Sequence, residues 1–395
     1  MHYSNFSNKQ YRQKVYESNF NQSLQGVLID EFTPFVDKCV DESSINFLSE
    51  WFFDEQIIQY NPFFYRSLSA VLNEENLPIQ YVFPDTNTAL NENIKRFHCL
   101  ESGNSHDSFD VFISEGSTPL ISSIVLLIKE MGFSNIYSIS PLYFTIHKIC
   151  DLLGIEIAVI NQELTYSRNI PNQELFLPHQ KTVLFITDPI WSIGRHHSKK
   201  LFEYLLEWQQ QTHSLIFVDG SFSYMDWYTQ EKQEPACILD PNLTIRLVCP
   251  TKALCLHGIR FSYLLCPKSL AREVARITIA NNGSSCFFSH LTRQLLFQEM
   301  ISSKISHTGL FARNRFEILK EKLDKNGIEY IVPKCGFFMY VDLDTFLVKN
   351  KLRQYYAWLP KEALDIMFPR YNGYAKLNLI GRHNTFFSLI KDLEC

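Results

Sequence analysis

Short apolar segments alternate with helical patterns through the middle of the chain, and this alternation limits its possible fold more than any other feature. The predicted strands are Asp110–Ile113, Asn135–Ile139, Glu156–Ile160, Thr182–Thr187, Leu215–Asp219, Ile245–Cys249 and Phe261–Cys266. The predicted helices among them are Pro119–Met131, Tyr143–Leu153 and Ser198–Gln211. Strands separated by helices of this length are typical of a parallel sheet covered by helices on both faces. We therefore predict an α/β fold with a mostly parallel sheet.

The segments on either side of this region suggest a second, smaller unit. Before this region, helical patterns begin near Ser44 and recur at Leu90–Phe97. After it, a long helical stretch from Leu291 to about Asn326 precedes strands at Gly336–Asp342 and Ala375–Ile380. The pattern there is that of an α+β unit. We predict an N-terminal arm (1–43), a large domain (80–290) and a small domain (44–79 with 291–395).

Charge and cysteine content exclude several classes of function. Lys plus Arg is 37 and Asp plus Glu is 42, a net charge of -5, so the chain has no basic surplus for nucleic acid. No apolar run approaches the ~20 residues of a membrane helix, and the start lacks the apolar core of a signal peptide. The ten cysteines have no C-x-x-C spacing. We predict reduced thiols, a cytoplasmic protein, no membrane partner and no metal site.

Polar residues at the predicted strand ends are the candidates for chemistry, because open α/β sheets bind ligands beyond the carboxyl ends of their strands. They are Ser117, Thr118, Asp188, Asp219, Thr251 and Lys252. A lysine desolvated at such a position has a lowered pKa, and its free amine can attack an aldehyde. Arg260 follows Lys252 by eight residues and is suited to holding a phosphate. The common nucleotide and hydrolase motifs are absent from the sequence.

The segment Cys249-Pro-Thr-Lys252-Ala-Leu-Cys-Leu-His-Gly-Ile-Arg260-Phe-Ser-Tyr263 resembles the S-x-S-K…G-x-R-x-G-Y pattern of fold-type I pyridoxal-phosphate enzymes, in the class I/II aminotransferase superfamily. The resemblance covers roughly Tyr81 to Arg382. It implies an aspartate aminotransferase-like fold, pyridoxal 5'-phosphate as cofactor, an amino acid as substrate and a homodimer. It also implies that Lys252, beside Thr251, forms a Schiff base with the cofactor and that Arg260 grips its phosphate.

Five further positions match the family in order. Asp219 corresponds to the aspartate that pairs with the pyridine nitrogen, and Tyr143 to the aromatic residue that stacks on the ring. Ser117 and Thr118, after Gly116, correspond to the phosphate loop at a helix start. Tyr81 resembles the tyrosine that reaches the phosphate of the neighbouring subunit. Taken singly, these residues are equally consistent with helix caps, a turn and a core aromatic residue.

Three positions depart from the family. In its N-P-x-N-P-T-G loop, here Asp188 to Gly194, the second asparagine is Trp191. The tyrosine of its D-E-A-Y sequence is Phe222, and the C-terminal arginine that forks the substrate carboxylate falls on Lys376. Lysine cannot make the same bidentate contact, and Arg382 is a nearby substitute. These changes affect the hydrogen bonds to the cofactor's phenolic oxygen and the hold on the substrate.

The departures leave the reaction open. Transamination is the default, and elimination or cyclisation of a modified amino acid is the alternative. The latter is suggested by the sequence Asp219-Gly-Ser-Phe222, which resembles the D-G-A-F of the branch that includes capreomycidine synthase. A non-catalytic homologue is a third hypothesis, against which the retention of Lys252, Asp219 and Arg260 argues.

Overall fold

The computed structural model describes residues 46–47, 53–60, 69, 88–103, 108–139, 142–160, 177–228, 234–283, 287–302, 306–341, 355–356 and 375–394. The predicted arm and Tyr81 lie outside these ranges. The strands are β1 Asn46–Phe47, β2 Phe109–Ser114, β3 Asn135–Ile139, β4 Glu156–Val159, β5 Val183–Thr187, β6 Leu215–Gly220, β7 Thr244–Val248, β8 Ser262–Pro267, β9 Phe338–Val341, β10 Tyr355–Tyr356 and β11 Ala375–Asn378. The α-helices are α1 Thr88–Ser102, α2 Ser117–Glu130, α3 Phe144–Leu153, α4 Lys199–Thr212, α5 Pro250–Ala253, α6 Ala271–Asn282, α7 Phe287–Ser302, α8 His307–Lys325 and α9 His383–Asp392.

Seven strands form the central sheet in the order β2-β8-β7-β6-β5-β3-β4. All neighbouring pairs are parallel except those of β8, which runs antiparallel to both β2 and β7. This confirms the predicted α/β fold with a mostly parallel sheet. The carboxyl ends of β5, β6 and β7 lie side by side, since Thr187 pairs with Asp219 and Gly220 pairs with Val248.

Both faces of the sheet are apolar because helices cover both. Alternate residues of the strands point to opposite faces, so Phe185 and Phe217 pack with the helix α2 while Ile186 and Val218 pack with α4. Helices α3 and α6 join α2 on the first face. Burial on both sides explains why the strands contain continuous apolar runs rather than alternating patterns.

Several predicted elements need correction. Asn46–Phe47, inside the helical pattern predicted near Ser44, is a short strand paired with β10. Helix α2 begins at Ser117 rather than Pro119, directly after Gly116 (φ 94°). The predicted stretch from Leu291 to Asn326 contains parts of two helices. Helix α8 is capped by Ser306, whose hydroxyl accepts a hydrogen bond from Gly309 N at 2.7 Å.

A second, two-stranded sheet pairs β9 with β11 in antiparallel register, placing Lys376 opposite Tyr340. It shares an apolar core with helices α8 and α9, which include Phe316 and Phe386. Loop residues that follow β6, among them Phe222, belong to the same core. The small sheet therefore packs beside the carboxyl end of β6. Within the described ranges, no helix has both the length and the apolar character needed to cross a membrane.

Candidate active site

Lys252 and Asp219 lie at the carboxyl ends of adjacent strands. Asp219 is the next-to-last residue of β6, and Lys252 lies in the short helix α5, directly after β7. Asp219 is buried, and its Oδ1 atom accepts a hydrogen bond from Ser221 N at 3.0 Å. Thr251 is also buried and its hydroxyl donates to the carbonyl of Phe261 at 3.4 Å. Asp219 and Lys252 thus lie at the same edge of the sheet.

Two aromatic rings lie beside the amine of Lys252. Its Nζ atom lies 4.3 Å from the ring centroid of Phe222 and 5.8 Å from that of Tyr143. Tyr143 immediately precedes helix α3, and Phe222 lies in the loop after β6. Rings around a half-buried amine limit its contact with water. The structure therefore brings together three residues that the sequence analysis connected only through the family pattern.

Arg260 lies against the N-terminus of α2. A Cβ atom added to Gly116 would be 2.3 Å from Arg260 Nη2 and 2.7 Å from its Cζ, so the guanidinium occupies the space next to this glycine. Ser117 is buried and Thr118 half-buried in the first turn of the helix. The free N–H groups of a helix start and a guanidinium both attract anions. This arrangement fits the phosphate of pyridoxal phosphate, because the guanidinium lies next to the residue that precedes the helix.

Lys376 is brought to Trp191, although the two residues are far apart in sequence. Lys376 is fully buried on β11, with its Nζ atom 4.6 Å from the Trp191 ring and 4.3 Å from the Phe338 ring. Arg382, by contrast, is exposed at the residue before α9. The two cations that the sequence analysis offered for the substrate carboxylate therefore lie in different environments. Lys376 is the enclosed one.

His257 packs among aromatic rings close to these residues, and no sequence motif marks it. Its ring stacks on Phe53 at 4.1 Å between centroids and meets the edge of Phe337 at 5.8 Å. Among the described residues, neither of its ring nitrogens has a hydrogen-bond partner. Burial, followed by the positive charges of Lys252 and Arg260, lowers the pKa of His257 to about 3. The only sequence signal for it is its position within the Lys252–Arg260 segment.

A buried polar network connects α1 to the sheet beneath these residues. His98 Nδ1 lies 2.7 Å from Glu101 Oε2, and His98 Nε2 lies 2.9 Å from the hydroxyl of Tyr263. The Tyr224 hydroxyl donates to Glu101 Oε1 at 2.8 Å. Burial alone would raise the pKa of Glu101, but the charge of Arg246 and the bond with His98 lower it to about 2. The network fixes the loop after β6 to α1.

Comparisons with known proteins agree with this geometry. Residues 76–363 match the family model described as aminotransferase class I and II. No curated protein sequence matches the chain.

Among solved structures, a single-mutant form of Thermus thermophilus aspartate aminotransferase superposes with a TM-score of 0.71 at 14% identity, covering 96% of this chain and 95% of that one. A multiple substrate aminotransferase from Thermococcus profundus gives 0.72 at 15% identity, covering 96% and 97%. The methionine aminotransferase YbdL from Escherichia coli gives 0.71 at 14% identity, covering 93% and 99%. At these identities the structures show a shared fold.

Proposed function

The chain belongs to the class I and II aminotransferase family, and from this premise we propose that it is a pyridoxal-phosphate enzyme acting on an amino acid through Lys252. The observation that carries the proposal is the position of the Lys252 amine, which lies near the Phe222 and Tyr143 rings at the strand ends. Asp219 lies on the adjacent strand and the Gly116–Arg260 cradle supplies the anion site. Transamination is the default reaction.

Each residue has a separate task in this proposal. Bound pyridoxal phosphate supplies an aldehyde for an amine and a ring that accepts electrons from the substrate's Cα. Arg260, with Ser117 and Thr118, holds the phosphate. Asp219 holds a proton on the pyridine nitrogen, and Tyr143 lies against the ring. Lys252 Nζ takes the proton from Cα and returns it during turnover.

The enclosed Lys376 binds the substrate carboxylate in this proposal. Its ammonium group is shielded from water, and a positive charge attracts a carboxylate more strongly in such surroundings. The Trp191 and Phe338 rings, each within 4.6 Å of its Nζ atom, keep water from the contact. Lysine is a point charge rather than a planar fork, so it cannot fix the orientation of the substrate alone. The Trp191 and Phe338 rings must supply part of that orientation.

Elimination or cyclisation is the second candidate reaction. Phe222, in place of the family's tyrosine, presents a ring without a hydroxyl 4.3 Å from the Lys252 amine. The loss of this hydroxyl removes a hydrogen bond that the family makes to the cofactor's phenolic oxygen, which supports a reaction outcome different from that of ordinary relatives. We further propose a homodimer in which Tyr81 reaches the active site of the neighbouring subunit. We also propose a cytoplasmic location, which the free cysteines among the described residues support.

Borohydride trapping tests the role of Lys252. After incubation with pyridoxal phosphate and reduction, mass spectrometry of a digest should find the cofactor on the peptide that contains Lys252. Lys252→Ala should lose this label, whereas Lys268→Ala, at an exposed lysine, should retain it. A label on another lysine would refute the assignment. Keto acid and ammonia assays, run in parallel over a panel of amino acids, separate transamination from elimination.

A further inference from the structure

A buried cluster of two carboxylates and an imidazole lies next to the candidate active site, and we propose that it binds one divalent transition-metal ion, with zinc the first candidate. Its members are Asp188, His196 and Glu234, here called the Asp–His–Glu cluster. Asp188 N donates to the carbonyl of Asp219 at 3.2 Å, so the cluster adjoins the strand end that carries the proposed cofactor-binding aspartate. The sequence predicts no metal site, since these three residues form no metal-binding motif.

The three ligand atoms are close to the spacing that an ion requires. His196 Nδ1 lies 3.0 Å from Asp188 Oδ2 and 3.8 Å from Glu234 Oε2, and all three atoms lie within 4.8 Å of one another. Tetrahedral zinc, with bonds of about 2.0–2.2 Å to nitrogen and oxygen, holds its ligand atoms roughly 3.3 Å apart. The distances of 3.0 and 3.8 Å lie on either side of this value, so small shifts of the side chains would bring these atoms to zinc-binding positions.

Backbone groups orient both carboxylates toward the imidazole. Asp188 Oδ1 accepts a hydrogen bond from His197 N at 2.7 Å, and Glu234 Oε1 accepts one from Tyr224 N at 2.8 Å. In each residue the other oxygen faces His196 Nδ1. The opposite ring nitrogen, His196 Nε2, lies 3.4 Å from Asp226 Oδ1. A ligand histidine whose second nitrogen contacts a carboxylate is the usual arrangement in metal sites.

Glu234 supplies the observation that points to a ligand. It is 2% exposed, and its Oε2 atom has no hydrogen-bond partner in the described part of the chain. A buried carboxylate oxygen without a donor is costly, and a bound cation removes that cost.

The ligand types favour a transition metal over magnesium or calcium. An imidazole nitrogen with two carboxylate oxygens suits zinc, cobalt or manganese, whereas magnesium and calcium prefer oxygen ligands alone. The side chains of His196 and Asp226 are 20% and 22% exposed, which leaves a path for the ion. With three protein ligands, the fourth position belongs to water.

A second arrangement around the same histidine must be distinguished. His196, Asp226 and Cys335 form another group whose ligand atoms lie within 4.8 Å of one another. It uses the opposite ring nitrogen, so one ion cannot bind to both groups. We assign the ion to the Nδ1 side because the two carboxylates there are held by the backbone and one has an oxygen without a donor.

Equilibrium dialysis tests the proposal on the full-length protein after chelator treatment and without pyridoxal phosphate. Wild type dialysed against zinc chloride should hold one zinc per chain, measured by elemental mass spectrometry. Glu234→Gln and Asp188→Asn should each weaken zinc binding by at least about tenfold, since even the loss of a residue that only hydrogen-bonds a ligand costs about 10- to 100-fold. Glu130→Gln, a partly exposed glutamate paired with Arg276, and Cys335→Ser should both bind zinc like the wild type.

The outcomes separate the alternatives. Less than about a tenth of an equivalent of zinc on the wild type overturns the proposal, as does loss of zinc in Cys335→Ser with retention in Glu234→Gln. Should the variants fail to fold, as judged by circular dichroism, cobalt(II) bound to the wild type gives the answer. A visible d–d spectrum without thiolate charge transfer supports the Asp–His–Glu cluster, whereas thiolate charge transfer assigns the ion to Cys335 and refutes it.

Discussion

Gly116→Ala tests the phosphate cradle, and the structure sets the size of its effect. The new Cβ atom would lie 2.3 Å from Arg260 Nη2, far inside contact distance, so the guanidinium must move away from the helix start. Losing one hydrogen bond to a charged group costs about 1.5–3 kcal/mol, which weakens binding about 10- to 150-fold. We therefore expect the dissociation constant of pyridoxal phosphate to rise by that factor.

A matched control isolates this clash from backbone strain. Gly116 has φ +94°, where any residue with a side chain is strained, so its replacement also lowers stability. Gly132, at φ +85°, has nothing within 4 Å of the position that a Cβ atom would take. Gly132→Ala should therefore lower the melting temperature without changing cofactor affinity.

The assay is titration of each purified apoprotein with pyridoxal phosphate, followed by absorbance and tryptophan fluorescence, with thermal unfolding run alongside. Equal affinity in Gly116→Ala and wild type, with both folded, would show that Arg260 does not hold the phosphate. Weakened affinity in both glycine variants would indicate a general loss of stability instead.

Three further changes probe other parts of the site. Phe222→Tyr should speed the half-reaction with a common amino acid about two- to tenfold in stopped-flow absorbance, because it restores one hydrogen bond; an unchanged rate would argue against the role given to this position. Lys376→Arg should lower the free energy of unfolding by about 1–3 kcal/mol in denaturant titrations, since the Trp191 and Phe338 rings leave little room for a larger side chain. Adding Trp191→Asn should restore the lost stability. Full stability of the single variant would contradict this packing. Stability should fall as pH drops from about 4.5 toward 2, because Glu101 has a depressed pKa in the folded state and its contribution, on the order of 3 kcal/mol, is lost on protonation. In Glu101→Gln the free energy of unfolding should depend less on pH in that range, as measured by denaturant unfolding at several pH values. An unchanged pH dependence would count against the network.

The sheet was largely predictable because buried strands leave a strong signal. Asn135–Ile139 was predicted with its observed bounds, since an apolar run between polar turns has few other interpretations. The direction of β8 was not predictable, because a strand buried on both faces has the same composition whichever way it runs. Helix α6 was missed because few of its residues, Val274, Ile277 and Thr278, are buried, which is too sparse a stripe for a clear period.

The site residues proposed from the sequence lie in short segments that the family pattern marks. Lys252 and Arg260 share one segment, and the family pattern marks it. The approach of Lys376 to Trp191 depends on the packing of β11 beside the loop after β5, and no local pattern records such a contact. The same holds for His196 and Glu234, which come from separate loops. The placement of Tyr81 and of the N-terminal arm stays a prediction.

The position of β2 at the edge of the sheet has a consequence for synthesis of the chain. Among the described strands its only partner is β8, and Ile113 pairs with Tyr263, about 150 residues later. At roughly 5–20 residues per second, the ribosome needs about 8–30 s to deliver that partner. During this time Phe109–Ser114, with its apolar side chains, has an open hydrogen-bonding edge that other nascent chains can occupy. Lower growth temperatures and chaperones that shield strand edges should therefore improve the yield of folded protein more than any change to the active site.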